Sequence, residues 1–411
     1  MKKLLGLLMV LCMVLPMFTG TAGIAESTKE EWNIPDLAEY AFTVNSLAVE
    51  NSIPAFLWEC SEYVDRRTMN IPVPEYLNAI MSCYHLRNDR GNSGDDAVFE
   101  EESAWEASAL MTPGINLGNT LDSTSFNIVE ANAGKTGWIV QWGAKGPDGK
   151  ILPSAWETAW GQPVTTEKIA DFMLDQGFQG VRIPVTWAEH MDKDGAVDPA
   201  WMARVRETVD LFYSRGVYVI LNVHHDGGAD GWIEATGESY NTYSERFAGL
   251  WLQIAEAFAE YDERLLFEGV NEVLDGNNSW GAPDPSAAKW MNAWNQLFVD
   301  TVRSSGGNNP RRNLIVMVYA GDGSEKSLAG FVLPDDPAGG HLMVEVHNYD
   351  PQSFTWTNAT WTKMTARWNG KTHGNILRRE FAVYKKYSDR WGVPFVLGEY
   401  NADMKKYADY D

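Results

Sequence analysis

The 411-residue sequence predicts an α/β fold, namely a (β/α)8 TIM barrel with a circularly permuted strand order. Short apolar segments alternate with amphipathic helical segments from residue 114 onward, and this alternation is typical of a parallel sheet. Seven strands can be placed in that region, whereas a closed barrel of this type has eight. An eighth apolar segment, Ile53 to Trp58, lies far upstream. We therefore expect the eighth strand of the barrel to come first in the chain.

Residues 26–86 are expected to supply that strand together with its two flanking helices. Asp36 is the predicted N-cap of the first helix, whose apolar positions recur at helical spacing up to a stop signal at Asn51. Pro54 lies at the start of the strand, where no ladder donor is needed. The second helix is predicted from Pro74 to Tyr84. The alternative is a small separate helical domain beside an incomplete barrel, which would leave a parallel sheet edge exposed.

Residues 105–411 are expected to carry the other seven strands of the same barrel, after a polar, Gly-containing linker at 87–104. The predicted helices between these strands have recognisable beginnings: one starts at Thr165 or Thr166, and the next starts at Asp198. The seven predicted strands are Gly114 to Gly118, Gly180 to Val185, Val217 to Val223, Leu265 to Val270, Asn313 to Tyr319, His341 to Val346 and Pro394 to Leu397.

A long insertion, residues 123–153, follows the first of these seven strands. It is rich in Gly and polar residues and contains Trp138 and Trp142. Active sites of (β/α)8 barrels lie at the carboxyl ends of the strands, and the insertion leaves such an end. It either lines the active face or forms a solvated flap, and the sequence leaves both possibilities open.

The first 25 residues predict a secretory signal that is removed from the mature protein. Lys2 and Lys3 precede an apolar run from Leu4 to Phe18, and small residues follow, with a cut expected near Ala25. The run is short for a membrane span, and the bulky residue before Cys12 argues against a lipoprotein cut. The protein is therefore expected to be secreted.

The formal net charge of −23 argues against several classes of partner. So acidic a protein is not expected to bind nucleic acid or an anionic membrane, and it suits a neutral substrate. The 18 Trp and 16 Tyr are compatible with a carbohydrate groove, because sugars stack their C–H faces on aromatic rings. Cys60 and Cys83, which remain after removal of the signal, lack metal-ligand spacing. We expect no cofactor, no membrane attachment and a monomer.

Two predicted strands each deliver a glutamate to the same rim of the barrel. The stretch Val393 to Asn401 is an apolar strand that reaches Glu399, and the stretch Leu265 to Glu272 is an apolar strand followed by a polar pair that ends in Glu272. Hydrolysis of a glycosidic bond requires a proton donor for the leaving oxygen and a second carboxylate beside the sugar carbon. The two glutamates therefore predict glycoside hydrolysis.

Seven motifs occur along the chain in this order: Gly114 to Asp122, Glu157 to Pro163, Gly180 to Trp187, Leu221 to Asp226, Phe267 to Glu272, Val346 to Pro351 and Leu397 to Tyr400. Together they resemble glycoside hydrolase family 5, nearest to its subfamily 4 of endo-β-1,4-glucanases, from about Glu102 to the end of the chain. The segment from Leu37 to Met81, which contains Asp65-Arg66-Arg67-Thr68, resembles the end of the same family that is missing downstream. The resemblance thus implies that the parts of the family barrel stand in rotated order.

The resemblance also implies a role for each matching residue. Glu272 corresponds to the general acid/base and Glu399 to the nucleophile of a retaining hydrolase, in which Glu272 carries a proton while Glu399 is ionised. Arg182 resembles the arginine beneath the nucleophile, and Tyr349 resembles a tyrosine that donates a hydrogen bond to it. The implied substrate-binding set is completed by Asn271 at the sugar 2-hydroxyl, His224, His225 and His347 around the cleaved sugar, and Trp58 as the floor of that subsite.

The sequence thus predicts a secreted retaining endo-β-1,4-glucanase that cuts plant cell-wall glucans such as cellulose, xyloglucan or mixed-linkage glucan. Three alternatives stay open: a β-mannanase on the same scaffold, a non-catalytic carbohydrate-binding barrel, and a metal-dependent hydrolase that uses His224, His225 and His347. Adjacent histidines on one strand point to opposite faces, which argues against a shared metal. Candidate sugar platforms that follow predicted strand ends are Trp187, Trp232, Trp280 and Trp356.

Overall fold

The structure, a computed structural model, describes residues 31–59, 61–86, 101–124, 149–228 and 231–410. The predicted secretory signal at 1–25 lies outside the described residues. So do Cys60, residues 87–100 of the predicted linker, and residues 125–148 of the insertion, including Trp138 and Trp142. In the part of the chain that is described, no helix is both long enough and apolar enough to cross a membrane.

Eight parallel strands close a barrel in chain order. Each of the eight predicted apolar segments overlaps one strand, although the last three strands extend past the predicted ends, and every strand is almost wholly buried. The strands, labelled β1 to β8, are Ala55–Leu57, Gly114–Asn116, Gly180–Ile183, Tyr218–Asn222, Leu265–Glu268, Leu314–Asp322, Leu342–His347 and Phe395–Tyr400.

Strand β1 closes the barrel between β2 and β8. Phe56 is in register with Gly114 of β2, and Ala55 is in register with Leu397 of β8. Pairing continues past the strand, because the Trp58 N–H donates to the Tyr400 carbonyl at 3.0 Å. The prediction that the upstream segment completes the barrel is confirmed, and the alternative of a separate helical domain is wrong.

Helices surround the barrel, and their ends follow the side-chain signals in the sequence. Thr166 accepts from the Ile169 N–H, and Asp198 accepts from the Ala200 N–H, as N-caps do. The α-helices of the described residues are Ile34–Glu50, Pro74–Met81, Ala104–Leu110, Pro153–Glu157, Glu167–Asp175, Pro199–Tyr213, Gly237–Ala257, Pro285–Ser304, Glu325–Gly330, Gln352–Thr355, Thr372–Trp391 and Tyr407–Tyr410, with 3-10 turns at Ala188–His190 and Asn309–Arg311.

The first helix begins earlier than its predicted cap. Asn33 occupies the N-cap position, and Asp36 lies in the first turn. Proline is favoured at the first helical positions, so Pro35 moves the start upstream. The Asp36 carboxylate instead accepts hydrogen bonds from the Trp368 N–H and the Tyr407 hydroxyl, which fasten the helix to the C-terminal part of the chain.

A short helix that the sequence did not predict covers the amino-terminal end of the barrel. Helix Ala104–Leu110 begins at a capping box of Ser103 and Glu106. Its buried face packs on inward-pointing side chains from β1 and β4 to β8, including Phe56 and Tyr218. The active face must therefore lie at the other, carboxyl end of the strands.

The first and last described segments of the chain lie against each other. The Asn33 N–H donates to the Lys405 carbonyl at 2.8 Å, and the Lys405 N–H donates to Oδ1 of Asn33 at 2.7 Å. Trp32 and Lys406 form an antiparallel bridge. Residues near 31 and residues near 406 are thus held side by side.

Candidate active site

Glu272 and Glu399 converge at the carboxyl end of the barrel, as predicted. Glu399 lies on β8, Glu272 follows β5, and both side chains are buried. One oxygen of each carboxylate and one ring nitrogen of His347 all lie within 4.8 Å of one another. Nδ1 of His347 is 2.7 Å from Oε1 of Glu272 and 3.5 Å from Oε2 of Glu399. A single imidazole therefore bridges the two carboxylates.

Arg182 holds Glu399 from beneath. Its Nη1 donates to Oε1 of Glu399 at 2.8 Å, while its Nε and Nη2 form a bidentate pair with Glu268 at 2.6 and 2.7 Å. The remaining donors reach Oδ1 of Asn116 and Oδ1 of Asn271. Burial would lower the pKa of Arg182, but Glu268 and Glu345 raise it well above its usual range. Arg182 is fully buried and contacts Glu399, so it lies beneath that glutamate as the resemblance implies.

Tyr349 donates to the second oxygen of Glu399. Its hydroxyl is 2.8 Å from Oε2, and the side chain is half-buried at the barrel mouth. The neighbouring Asn348 N–H donates to the Glu399 carbonyl at 2.9 Å. Each side-chain oxygen of Glu399 therefore has a hydrogen-bond donor, which fixes the orientation of its carboxyl group.

Two further buried glutamates, Glu268 and Glu345, were not predicted as site residues. Glu268 ends β5 and also accepts from Nδ2 of Asn222 at 2.9 Å, and Glu345 lies within β7. Burial, together with the charge of Glu345, raises the pKa of Glu268 to about 7, although Arg182 opposes the shift. The available signal was an ionisable residue inside an otherwise apolar strand, since such residues are rarely buried without a partner.

His224 lies deep in the site as a neutral imidazole. Nδ2 of Asn222 is 3.0 Å from Nδ1 of His224, so that nitrogen accepts and Nε2 carries the proton. Burial lowers the pKa of His224 well below its usual range. The Trp58 ring stacks on His224 with the ring centroids 5.7 Å apart and an interplanar angle of 7°. Trp58 thus lies beside the candidate site with only 5% of its surface exposed, and its role as a sugar floor stays a prediction.

His225 lies beside His224 rather than on the opposite face. Their ring centroids are 4.5 Å apart. The expectation that adjacent histidines diverge is wrong here, because both follow the last residue of β4 and are free of strand alternation. Burial lowers the pKa of His225 to about 4. Two neutral imidazoles therefore line the same wall.

The three histidines of the metal hypothesis do not gather at one point. Among the described residues, the groups able to surround an ion are Asp122 with His224 and His225, and His347 with the two glutamates. Both Asp122 oxygens already accept backbone N–H groups, from Asn119 and Thr120. The possible metal ligands thus form two separate groups. One is Asp122 with the two adjacent histidines, and the other is His347 with the two glutamates.

The candidate sugar platforms differ in exposure. Trp187 is fully buried, and its Nε1 donates to the Asn222 carbonyl, so its prediction as a platform is wrong. Trp280 is 37% exposed, and Trp232 and Trp356 are partly exposed. Trp356 packs edge-on against Trp361, which sequence reasoning did not single out and which is 52% exposed.

Known proteins share this fold and much of this sequence. The family model "Cellulase (glycosyl hydrolase family 5)" matches residues 146–410. Endoglucanase A of Ruminococcus albus is 32% identical over 314 residues, which cover 75% of this chain and 77% of that protein.

Two solved structures are similar to this one. A variant of PbGH5A, a glycoside hydrolase family 5 enzyme of Prevotella bryantii B14 in complex with a xyloglucan tetradecasaccharide, is 42% identical with a TM-score of 0.63, covering 74% of this chain and 80% of that one. A GH5-4 broad specificity endoglucanase from Ruminococcus champanellensis with bound cellotriose is 32% identical with a TM-score of 0.63, covering 76% and 84%.

Proposed function

This chain belongs to glycoside hydrolase family 5, and we propose that it is a secreted, retaining endo-β-1,4-glucanase. Glu399 attacks the anomeric carbon while Glu272 gives its proton to the leaving glycosidic oxygen. The resulting glycosyl ester on Glu399 is then hydrolysed by a water whose proton Glu272 takes up, so that two inversions give net retention. Arg182 and Tyr349 hold the Glu399 side chain in position for the attack.

The proximity of the two carboxylates carries this proposal. Retaining glycosidases hold their carboxyl groups about 5–5.5 Å apart, whereas inverting enzymes need about 6.5–9.5 Å to admit a water. One oxygen of Glu272 and one oxygen of Glu399 lie within 4.8 Å of each other, which matches the shorter separation of retaining enzymes and supports direct attack by Glu399.

A β-1,4-glucan is the substrate class that the relatives favour. The similar solved structures hold a xyloglucan oligosaccharide in one case and cellotriose in the other. The partly exposed Trp356 and Trp361 offer flat surfaces to sugar rings, and the net charge of −23 suits an uncharged polymer. Xyloglucan, cellulose and mixed-linkage glucan are the candidate polymers.

Subfamily 4 membership and a rotated chain order belong to the same proposal. The GH5-4 enzyme with cellotriose supports the subfamily. The family model match begins at residue 146, so β1 and its flanking helices lie outside it although they complete the barrel. Secretion is proposed from the apolar N-terminal segment of the sequence alone.

The test is hydrolysis of a polysaccharide panel by residues 26–411, followed by release of reducing ends. We expect release from one or more of xyloglucan, cellulose and lichenan, and NMR should show the β-anomer as the first product. The α-anomer first would contradict retention, and release from mannan alone would identify a mannanase. Tight sugar binding without any release would identify a carbohydrate-binding barrel, and loss of turnover in chelator would identify a metal-dependent hydrolase.

Two variants assign the carboxylates. Glu272→Gln should lower kcat by about 10²–10⁴-fold, the usual contribution of a general acid. Glu399→Ala should be inactive but regain turnover in azide, which takes the place of the missing nucleophile. Glu256→Gln, at an exposed position of helix Gly237–Ala257, is the matched control and should behave as the wild type.

A further inference from the structure

Glu345 is a buried carboxylate to which the proposed reaction gives no role. It lies two residues before His347 on β7, so both side chains point to the same face of the strand. Oε1 of Glu345 is 3.1 Å from Nε2 of His347 and 3.3 Å from Nε of Arg182. Its Oε2 has no hydrogen-bond partner among the described residues. Burying a carboxylate in this way is costly, which calls for a function.

The neighbouring strands leave space for this pair of side chains. A Cβ at Gly398 would collide with Oε1 of Glu345, and a Cβ at Gly321 would lie 3.1 Å from Cγ of His347. Gly398 directly precedes the nucleophile in sequence. The strand that presents Glu399 therefore lacks a side chain where Glu345 reaches towards His347.

A counter-ion for Arg182 is the simpler role for Glu345, and the hydrogen bonds argue against it. Nε of Arg182 already donates to Glu268 at 2.6 Å, and Nη1 and Nη2 donate to other acceptors. Glu345 is left with a longer contact to that guanidinium. Its shorter contact, in which a ring N–H can point at the carboxylate, is with His347.

The other nitrogen of His347 faces the catalytic pair. With Nε2 directed at Glu345 and Nδ1 at Glu272, a ring protonated at both nitrogens satisfies both contacts. Burial alone would lower the pKa of His347, but Glu399, Glu272 and Glu345 raise it to about 10. Among the described residues, the titratable and charged groups that interact with the ring come from five elements: Arg182 of β3, His224 after β4, Glu272 after β5, Glu345 of β7 and Glu399 of β8.

We propose that Glu345 is a positioning residue that keeps His347 doubly protonated, so that Nδ1 donates to Glu272 whether or not that glutamate holds its catalytic proton. The role of Glu272 in this statement rests on the proposed function. During the reaction the proton on Glu272 moves to the leaving oxygen and is later replaced from water, while His347 keeps both of its protons. The negative charge of Glu345 offsets the imidazolium charge of His347, because the two groups lie at hydrogen-bond distance.

The first experiment reads the ring directly and requires no activity. ¹⁵N NMR of the full protein, with the His347 signals assigned from a His347→Gln variant, should show both nitrogens protonated at pH 7 in the wild type. In Glu345→Gln the titration midpoint should fall by about one pH unit or more, because a negative charge at hydrogen-bond distance is removed. A neutral His347 ring in the wild type at pH 7 would overturn the proposal even if the variant fails to fold.

The second experiment reads the pH dependence of kcat/KM on a soluble β-glucan. Removal of the Glu345 charge lowers the proton affinity of the Glu272–His347 pair, so the basic limb should move to lower pH by about one unit or more. Glu157→Gln removes another buried carboxylate, which pairs with Arg204 outside the site, and should leave both limbs in place. A uniform loss of activity in Glu345→Gln with unmoved limbs would reduce Glu345 to a structural role. If the wild type cleaves no glucan, the proposed function fails, and the NMR result still decides the role of Glu345.

Discussion

Replacement of Arg182 by methionine tests whether one buried cation holds the active site together. The guanidinium donates to Glu268, Glu399, Asn116 and Asn271, and it is fully buried. Methionine has a similar length and no charge, so the change removes the cation and leaves its carboxylate partners in place. Those partners then lie close together without a counter-ion.

The expected cost is large for a single substitution. Removal of one partner from a buried ion pair destabilises a protein by about 3–5 kcal/mol. Unfolding entropies of about 2.1 cal/mol/K per residue give roughly 0.8 kcal/mol/K for a chain of this size, so the Tm should fall by roughly 4–6 °C. Loss of a charged hydrogen bond to Glu399 should also lower kcat by about tenfold or more.

The fall in Tm of the Arg182→Met variant should depend on pH in a defined direction. Burial raises the pKa of Glu268 to about 7, and Arg182 opposes this shift, so the pKa rises further in Arg182→Met. A carboxyl whose folded-state pKa is raised contributes stability below its unfolded value of about 4.3, and this stability is lost as pH rises through the folded value. The Tm difference between wild type and variant should therefore be smaller at pH 5 than at pH 8.

Calorimetry of both proteins at pH 5 and pH 8 measures this difference. Arg204→Met is the matched control, because Arg204 also pairs with a buried glutamate, Glu157, but lies on helix Pro199–Tyr213 outside the site. It should lower the Tm without altering the pH profile of kcat/KM. If the Tm of Arg182→Met lies equally far below that of the wild type at pH 5 and at pH 8, the electrostatic reasoning is refuted.

Three further predictions follow from other contacts. Gly398→Ala should lower the free energy of unfolding, measured by chemical denaturation, by at least about 1–3 kcal/mol, because the added Cβ collides with Glu345. The second change Glu345→Ser should recover part of that loss. A Gly398→Ala protein as stable as the wild type would contradict the observed packing. Tyr349→Phe should lower kcat/KM by about tenfold with little change in Tm, and an unchanged kcat/KM would show that its hydrogen bond to the nucleophile is dispensable. A reordered chain, in which 101–410 is followed by a flexible linker of about eight residues and then by 31–86, should fold and be as active as the wild type. The fragment 101–410 alone should show no cooperative unfolding. An active 101–410 fragment would contradict the role of β1 in closing the barrel.

Much of the fold could be predicted because its signals are local. Strand ends, N-caps such as Thr166 and Asp198, and the alternation of strands with helices all appear within short windows of sequence. Closure of the barrel by β1 followed from a count, since an eighth apolar segment was needed and only Ile53 to Trp58 supplied it. The meeting of Glu272 and Glu399 followed from the geometry of parallel strands.

The parts that could not be predicted depend on contacts between distant segments. The role of Glu268 depends on Arg182, which is far from it in sequence. The role of Glu345 depends on its contacts with both His347 and Arg182. The side-by-side placement of His224 and His225 depends on where β4 ends, a boundary that periodicity does not fix to a single residue. Burial of Trp187 depends on how its loop packs. The sequence alone does not distinguish an aromatic residue that faces a sugar from one that faces the core, because both follow a strand end.

The proposed rotation of the chain is physically inexpensive because it changes no contact in the site. An eight-stranded barrel with sequential strands always has one neighbouring pair whose members lie at opposite ends of the chain, whichever strand comes first. Here that pair is β1 and β8, and Nδ2 of Asn116 on β2 donates to the carbonyls of Leu57 and Gly398, which joins all three strands. The rotated order therefore has the same number of strand pairs between the two ends of the chain as the unrotated order. In this chain that strand pair lies beside Glu399. Residues 31–33 and 405–407 pair with one another, so chain continuity can be restored there without reaching the active face.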